Sequence, residues 1–492
     1  MQSKLRMKLL IVGIDGGDER IVRAMPMPFL QSFLGNNALL ELKEDLWSRG
    51  WAEMLSGFTG RETGAFYSKP VLNGSHDFTQ RFRSEDFLQN PKIIPLWTAL
   101  EKLGHSIGFM NVPSTFPAPE LNNGFFVSGA GGGLAQKGLG NVPHGVASSD
   151  DIGEILLKNE YVFDIRLKSS GIHNIDLYFD LLKAMVHRRT SAYLHLAKKK
   201  MISAGFLAYM ALSRVQYVAM SEVEALIANG CQPANRIQQK IIELYMLFDM
   251  ELRRLFEELD PKHFIVTADH GQAPFLHTVN VNTFLQQTGH LQVIRRKEEL
   301  TRQGKNTIKA GLRRVVPEEI RFRLFKNKLN PSAPLKVIPD WQKTLAFGAR
   351  YVPGIFINDA RFNGPVKDID RAKALVKEIV DALNGSHEAK RHGFNAHPYR
   401  QCYPEAFRRD LLPDIWIDHP DTCFFTECGQ FIDKNHNYGP IKSLWQVTGD
   451  IFTGIKGSCP LVFTDKELLS HIEEKDPKDL TALYYLALRA MR

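Results

Sequence analysis

The sequence predicts an α/β fold: a large, mainly parallel sheet between helical layers, carrying a smaller inserted α+β lobe. Three observations carry this. Short apolar runs bounded by turn signals recur at 9–14, 205–212 and 264–268, the pattern of strands covered on both faces. Amphipathic helical stretches separate them, most clearly 237–259, where apolar residues recur at helical spacing. Two of the strands run into polar corners, Asp15-Gly16-Gly17-Asp18 and Asp269-His270-Gly271. Open α/β sheets place ligands at such C-terminal strand ends.

The chain has 492 residues, 44% hydrophobic and 24% charged, enough for one large core and a second lobe. Its net charge is +8. That balance suits an anionic ligand, a membrane surface or nucleic acid, or simply a solvated basic face. The basic run 297–328 lacks interleaved aromatics for base stacking, so nucleic acid is not expected as a partner. The five cysteines form an odd set with no CxxC, which argues against a disulfide framework. The spacing of Cys423, Cys428 and His436 fits no standard zinc pattern. The apolar run at 9–14 is too short for a signal peptide. No stretch approaches the roughly 18 apolar residues needed to span a bilayer. The sequence therefore reads as a cytoplasmic, reduced protein.

Taken in order, 27–34 reads as a helix after the first strand. Trp51, Met54 and Leu55 share one helical face, and Gly57 suits a C-cap. Residues 95–103 form an amphipathic helix stopped by Gly104. Strands follow at 107–111 and 125–128, the first leading into a proline-rich loop at 112–119 and the second into a glycine-rich turn at 129–133. That turn lacks the order of a phosphate loop. A long basic helix occupies 175–200. From 273 to 400 the character changes, with strands near 341–347 and 354–358 and a helix at 370–383. Further strands are read at 413–417 and 423–425. The domain reading is 1–272 and 401–492 for the core, with 273–400 as the inserted lobe.

The polar corners supply the chemistry. Asp15 and Asp269 are carboxylates at strand ends, and His270 adds an imidazole; this oxygen and nitrogen set suits a zinc-like ion. Asp15 also suits a helix N-cap. Ser48 falls at the start of the Trp51 helix, where the dipole favours an anion or alkoxide, and Arg49 adds a cation. Ser48 also reads as an ordinary N-cap. His436 sits on the polar loop 433–439.

Together these stretches resemble the alkaline phosphatase superfamily, in particular its type I phosphodiesterase/nucleotide pyrophosphatase branch. Val12-Gly-Ile-Asp15-Gly is similar to the first strand and its metal Asp. Trp51-Ala-Glu-Met-Leu-Ser-Gly57 resembles the nucleophile helix, Asn111-Val-Pro-Ser-Thr-Phe-Pro117 the family's NVPxTxP loop, and Ala268-Asp-His-Gly271 its SDHG signature. Residues 340–344 and 354–358 resemble its inserted lobe. The resemblance implies metal-assisted phosphoester hydrolysis with two zinc or manganese ions. It implies Ser48 as nucleophile, Arg49 as a charge-stabilising partner, Asp15, Ser48, Asp269 and His270 around the first ion, and His436 as the late histidine. The implied ligand is a phosphorylated small molecule or nucleotide-like anion.

The sequence departs from that pattern in three places. Counted back from Gly57, the nucleophile column falls at Trp47, one residue before Ser48; either the turn is one residue tighter or the nucleophile is absent. Thr63-Gly64 stands where His-Gly is usual. Ser213 and Tyr217 stand where the second ion's Asp and His would be, and a hydroxyl and a phenol are poor ligands at neutral pH. The expectation is one tightly held divalent ion and a second position lacking ligands. The competing reading is a catalytically weakened phosphatase-like protein that binds an anion or a partner.

Overall fold

The strand Leu9–Ile14 is buried at all six positions, so both of its faces must be covered by other elements. It lies at the centre of a seven-stranded sheet. The computed structural model describes residues 7–36, 38–43, 45–129, 144–165, 175–294, 338–441, 452–470 and 478–492. The basic run 297–328 and most of the glycine-rich turn at 129–133 lie outside them. Across the sheet the order is Ala38–Leu39, Val462–Thr464, His263–Thr267, Leu9–Ile14, Ala204–Tyr209, Ile107–Val112 and Gly124–Ser128. The five strands from His263–Thr267 to Gly124–Ser128 run parallel. The two at the opposite edge pair antiparallel. Near-continuous apolar runs therefore mark doubly covered parallel strands, as the sequence predicts.

Helices cover both faces. Ile175–Lys200, Ala211–Ala228 and Arg236–Leu259 pack with the helices Glu19–Ala24 and Pro28–Asn36 over one apolar cluster. Gly50–Ser56, Leu96–Lys102 and Ala482–Met491 pack over the other. The expected run at 205–212 stops as strand at Tyr209, because Ala211 already begins a helix. Gly57 ends the Gly50–Ser56 helix in a left-handed conformation, φ 71°, its N–H on the Glu53 carbonyl. This is the glycine C-cap that the sequence pattern predicts.

A third apolar cluster gathers residues from 279 to 431 together with Trp47 and Phe66. Its four-stranded sheet runs Ala346–Gly348, Gly354–Ile357, Ile415–Asp418, Asn395–Pro398. Ile415–Asp418 pairs on both sides within this sheet, so the sheet continues past residue 400. A three-stranded sheet of Cys423–Phe425, His277–Val279 and Ile432–Lys434 joins it to the same apolar cluster. All five cysteines are free thiols. Among the described residues, no helix is long and apolar enough to cross a membrane.

Candidate metal centre

Leu9–Ile14 and His263–Thr267 are direct parallel neighbours, with Gly13 opposite Thr267. Their C-terminal ends therefore leave the sheet side by side, and Asp15 and Asp269 follow them. The Asp15 N–H continues the ladder, donating to the Tyr209 carbonyl at 2.9 Å. Ligand atoms of Asp15, Asp269 and His270 all lie within 4.8 Å of one another, and all three residues are buried. His270 Nε2 is 3.4 Å from Asp269 Oδ2.

The helix Gly50–Ser56 presses onto this corner. A Cβ at Gly50 would collide with the Asp269 carbonyl oxygen, and one at Gly13 would lie 2.6 Å from the Trp51 ring. Glycine makes room for the Asp269 backbone at one place and for the Trp51 ring at the other.

Burial, and then the charge of Asp15, pushes the Asp269 carboxyl up to about 8. Burial, and then Lys456, holds the His270 imidazole well below its usual range. His270 Nδ1 lies 2.7 Å from the Gly271 carbonyl; a carbonyl only accepts, so Nδ1 carries the proton. Nε2 is then a lone pair directed into the cluster. Two close, buried carboxylates and a backbone-anchored neutral imidazole suit a divalent cation in both charge and donor type.

Two phenols reach the same groups. Tyr67 donates to Asp269 Oδ2 at 3.2 Å, and Tyr217 lies 3.2 Å from His270 Nε2. Burial raises both phenols well above 10, helped by Asp269 at Tyr67 and by Asp15 and Asp269 at Tyr217, so they remain protonated donors. Lys456 Nζ sits 2.9 Å from the Tyr67 ring centroid. Sequence reading missed Tyr67 and Lys456. The available signal for Lys456 was a lone cation in the short run Gly454-Ile-Lys-Gly457.

Ser48 is held differently from the expectation. It precedes the helix by two residues, and Arg49 occupies the N-cap without a side-chain cap. The Ser48 hydroxyl donates to Asp45 Oδ2 at 2.8 Å, while Asp45 Oδ1 accepts the N–H groups of Trp47 and Ser48 at 2.9 and 2.6 Å. Leu46 takes the left-handed backbone, φ 60°, to close this turn. Asp45 is therefore the residue that caps the turn. Trp47 is fully buried, stacked on Phe66 at 3.7 Å, with its indole N–H on the Ser68 carbonyl at 2.7 Å.

Arg49 donates to the carbonyls of Phe66 and Gln80 at 3.0 and 2.6 Å. Its guanidinium lies 4.7 Å from the Tyr67 ring centroid. These contacts brace the segment that carries Tyr67. Ser213 donates to the Met210 carbonyl at 3.0 Å. His436 stands outside the cluster: its side chain is 80% exposed and 3.9 Å from Asp433. The loop 433–439 is anchored instead through Asn435, whose amide reaches the carbonyls of Phe275 and Phe452.

A family model described as type I phosphodiesterase/nucleotide pyrophosphatase matches residues 9–430. No curated protein matches the chain. Solved structures similar to it include murine ectonucleotide pyrophosphatase/phosphodiesterase 5, an inactive form in complex with AMP. That likeness has 13% identity over 99% of this chain and 95% of that one, with a TM-score of 0.48. Human ectonucleotide pyrophosphatase/phosphodiesterase 5 matches at 11% identity over 99% and 95%, TM-score 0.46. Phosphonoacetate hydrolase from Sinorhizobium meliloti 1021, in complex with phosphonoformate, matches at 12% over 99% and 96%, TM-score 0.49.

Proposed function

Because the chain belongs to the type I phosphodiesterase/nucleotide pyrophosphatase family, we propose that it hydrolyses phosphoesters of phosphorylated small molecules or nucleotide-like anions. Asp15, Asp269 and His270 would hold one divalent ion, zinc or manganese. The observation that carries the reading is the buried convergence of those two carboxylates and one imidazole. A bound ion would polarise a phosphoryl oxygen and favour the deprotonated form of an oxygen nucleophile.

Ser48 is the nucleophile in this reading. Its hydroxyl already donates to Asp45, so the proton has an acceptor as the serine oxygen bonds to phosphorus and the leaving oxygen departs. Water then releases the phosphoryl group from Ser48. Tyr67 orients Asp269 by donating to it.

A second reading, a weakened phosphatase-like protein that binds an anion, draws on Ser213 and Tyr217. Neither is a competent ligand for a second ion, and the clamp on attacking and leaving oxygens would be incomplete. Metal analysis with turnover of bis-p-nitrophenyl phosphate and of the monoester separates the two readings. Hydrolysis requires one ion per chain, metal-dependent turnover, and loss of that turnover in Ser48→Ala with metal retained. Metal-loaded protein that turns over neither ester leaves the binding reading. Unchanged turnover in Ser48→Ala removes Ser48 as nucleophile.

A further inference from the structure

The strand Gly454–Gly457 pairs antiparallel with Gly271–Pro274, the strand that continues directly from Asp269 and His270. In that register Lys456 is opposite Gln272, and directly opposed residues present their side chains on the same face. Gln272 is buried and packs against Gly16, the residue after Asp15. Lys456 therefore leaves the ribbon toward the metal centre.

Its position is fixed from several sides. Lys456 Nζ is buried and sits on the Tyr67 ring, whose hydroxyl donates to Asp269. The Lys456 ammonium is also close enough to act electrostatically on both Asp269 and His270. The strand that carries it is stitched into the helix that carries Tyr217. Thr453 N–H donates to the Tyr217 carbonyl at 3.0 Å, and Thr453 Oγ1 donates to the Val218 carbonyl at 2.9 Å. These contacts divert two helical carbonyls and account for the kink at Ala219, φ −125°. A Cβ at Gly454 would strike the Gln216 carbonyl, so the strand lies flush against the helix.

We infer that Lys456 is a phosphate-binding residue, supplying the second fixed positive charge of the site in place of a second metal ion. Charge counting supports it. Two carboxylates offset one divalent ion, the imidazole is neutral, and an incoming phosphoryl group still needs a cation. A buried ammonium on a rigid strand meets that need without reorganisation. Ser213 and Tyr217 offer no ligands for a second ion, whereas Lys456 needs none. The inference rests on the phosphoester reading and adds to it a preference for the charge of the substrate. A phosphomonoester dianion gains more from the ammonium than a diester monoanion.

The test compares wild type with Lys456→Gln and Lys456→Arg, using manganese and inorganic phosphate as probes in calorimetry, with thermal melts as a folding control. Lys456→Gln should bind phosphate to the manganese-loaded protein at least tenfold more weakly. It should bind manganese as tightly as wild type or a few-fold more tightly, since a like charge beside the ion is gone. Lys456→Arg should retain most of the phosphate affinity. Where turnover is measurable, Lys456→Gln should lose more kcat/KM on the monoester than on the diester. Phosphate affinity within twofold of wild type in Lys456→Gln overturns the inference. So does weakened manganese binding with phosphate binding unchanged, the signature of a purely structural lysine. If Lys456→Gln does not fold, Lys456→Arg decides alone, and loss of phosphate binding in that folded cationic variant counts against the inference. Wild type that binds phosphate through Lys456 yet hydrolyses nothing defeats the hydrolase reading and leaves this one standing.

Discussion

The Tyr217 hydroxyl lies 3.2 Å from Nε2 of His270, and the other ring nitrogen is committed to the Gly271 carbonyl at 2.7 Å. The phenol therefore donates to the one lone pair through which His270 could hold a metal ion. An ion can take that lone pair only by displacing the phenol. A typical net hydrogen bond is worth about 1 kcal/mol, so Tyr217→Phe should tighten zinc or manganese binding by about fivefold. Competition titration against a chromophoric chelator measures this. Equal or weaker affinity in Tyr217→Phe would mean that Tyr217 helps the bound state instead.

Ser213 and Tyr217 are one helical turn apart on Ala211–Ala228, and side chains four apart share a helix face. The double variant Ser213→Asp with Tyr217→His should raise tightly bound metal from one ion to two per chain. Position 213 is fully buried, so an unpaired aspartate there costs several kcal/mol without metal. The variant should therefore melt well below wild type when metal-free and regain most of the difference with zinc. Elemental analysis of the folded, zinc-saturated variant that still shows one ion would refute the idea.

The parallel core was legible in the sequence because doubly buried strands are short apolar runs, and Asp15 and Asp269 stood out as the polar residues that end them. Their convergence follows from strand adjacency alone. Ser48 was harder to place, since its orientation depends on Asp45 and on the left-handed backbone of Leu46, and neither leaves a periodic signal. Tyr67 and Lys456 were missed for a different reason. They are separated by hundreds of residues from each other and meet at Asp269 only through the fold. The boundary near residue 400 was read from composition, which does not register that Ile415–Asp418 belongs to the same sheet as Gly354–Ile357.

Gly50 is where the helix Gly50–Ser56 meets the Asp269 corner. A Cβ there would collide with the Asp269 carbonyl and with Leu480, and the first of these is backbone that cannot rotate away. Gly50→Ala should lower unfolding free energy by about 1–3 kcal/mol, read by urea denaturation. Because the displaced atom belongs to Asp269, metal affinity should fall as well. A variant with wild-type stability and metal affinity would show that the helix has room to shift.

The pH dependence of the metal-free protein should carry the mark of Asp269. Its carboxyl is raised to about 8 by burial and by Asp15, whereas in the unfolded chain it titrates near 4. Between those values the folded state binds more protons than the unfolded state, so stability falls as pH rises. His270 acts in the opposite sense at lower pH. Its folded pKa is held well below 6.5, so acidification below about 6.5 protonates only the unfolded imidazole and also lowers stability. In the window from about 6.5 to 7.5 the carboxyl therefore dominates, and toward pH 8 Lys69, lowered to about 8 by burial, begins to act in the opposite sense. Chelator-treated protein should lose melting temperature steadily across that window, and Asp269→Asn should flatten the slope. Saturating manganese should flatten it too, because the ion holds the carboxylate ionised in the folded state. A melting temperature that rises with pH across this window in the metal-free wild type would mean that Asp269 is already ionised and balanced there, with Lys456 the nearest candidate for its counter-charge.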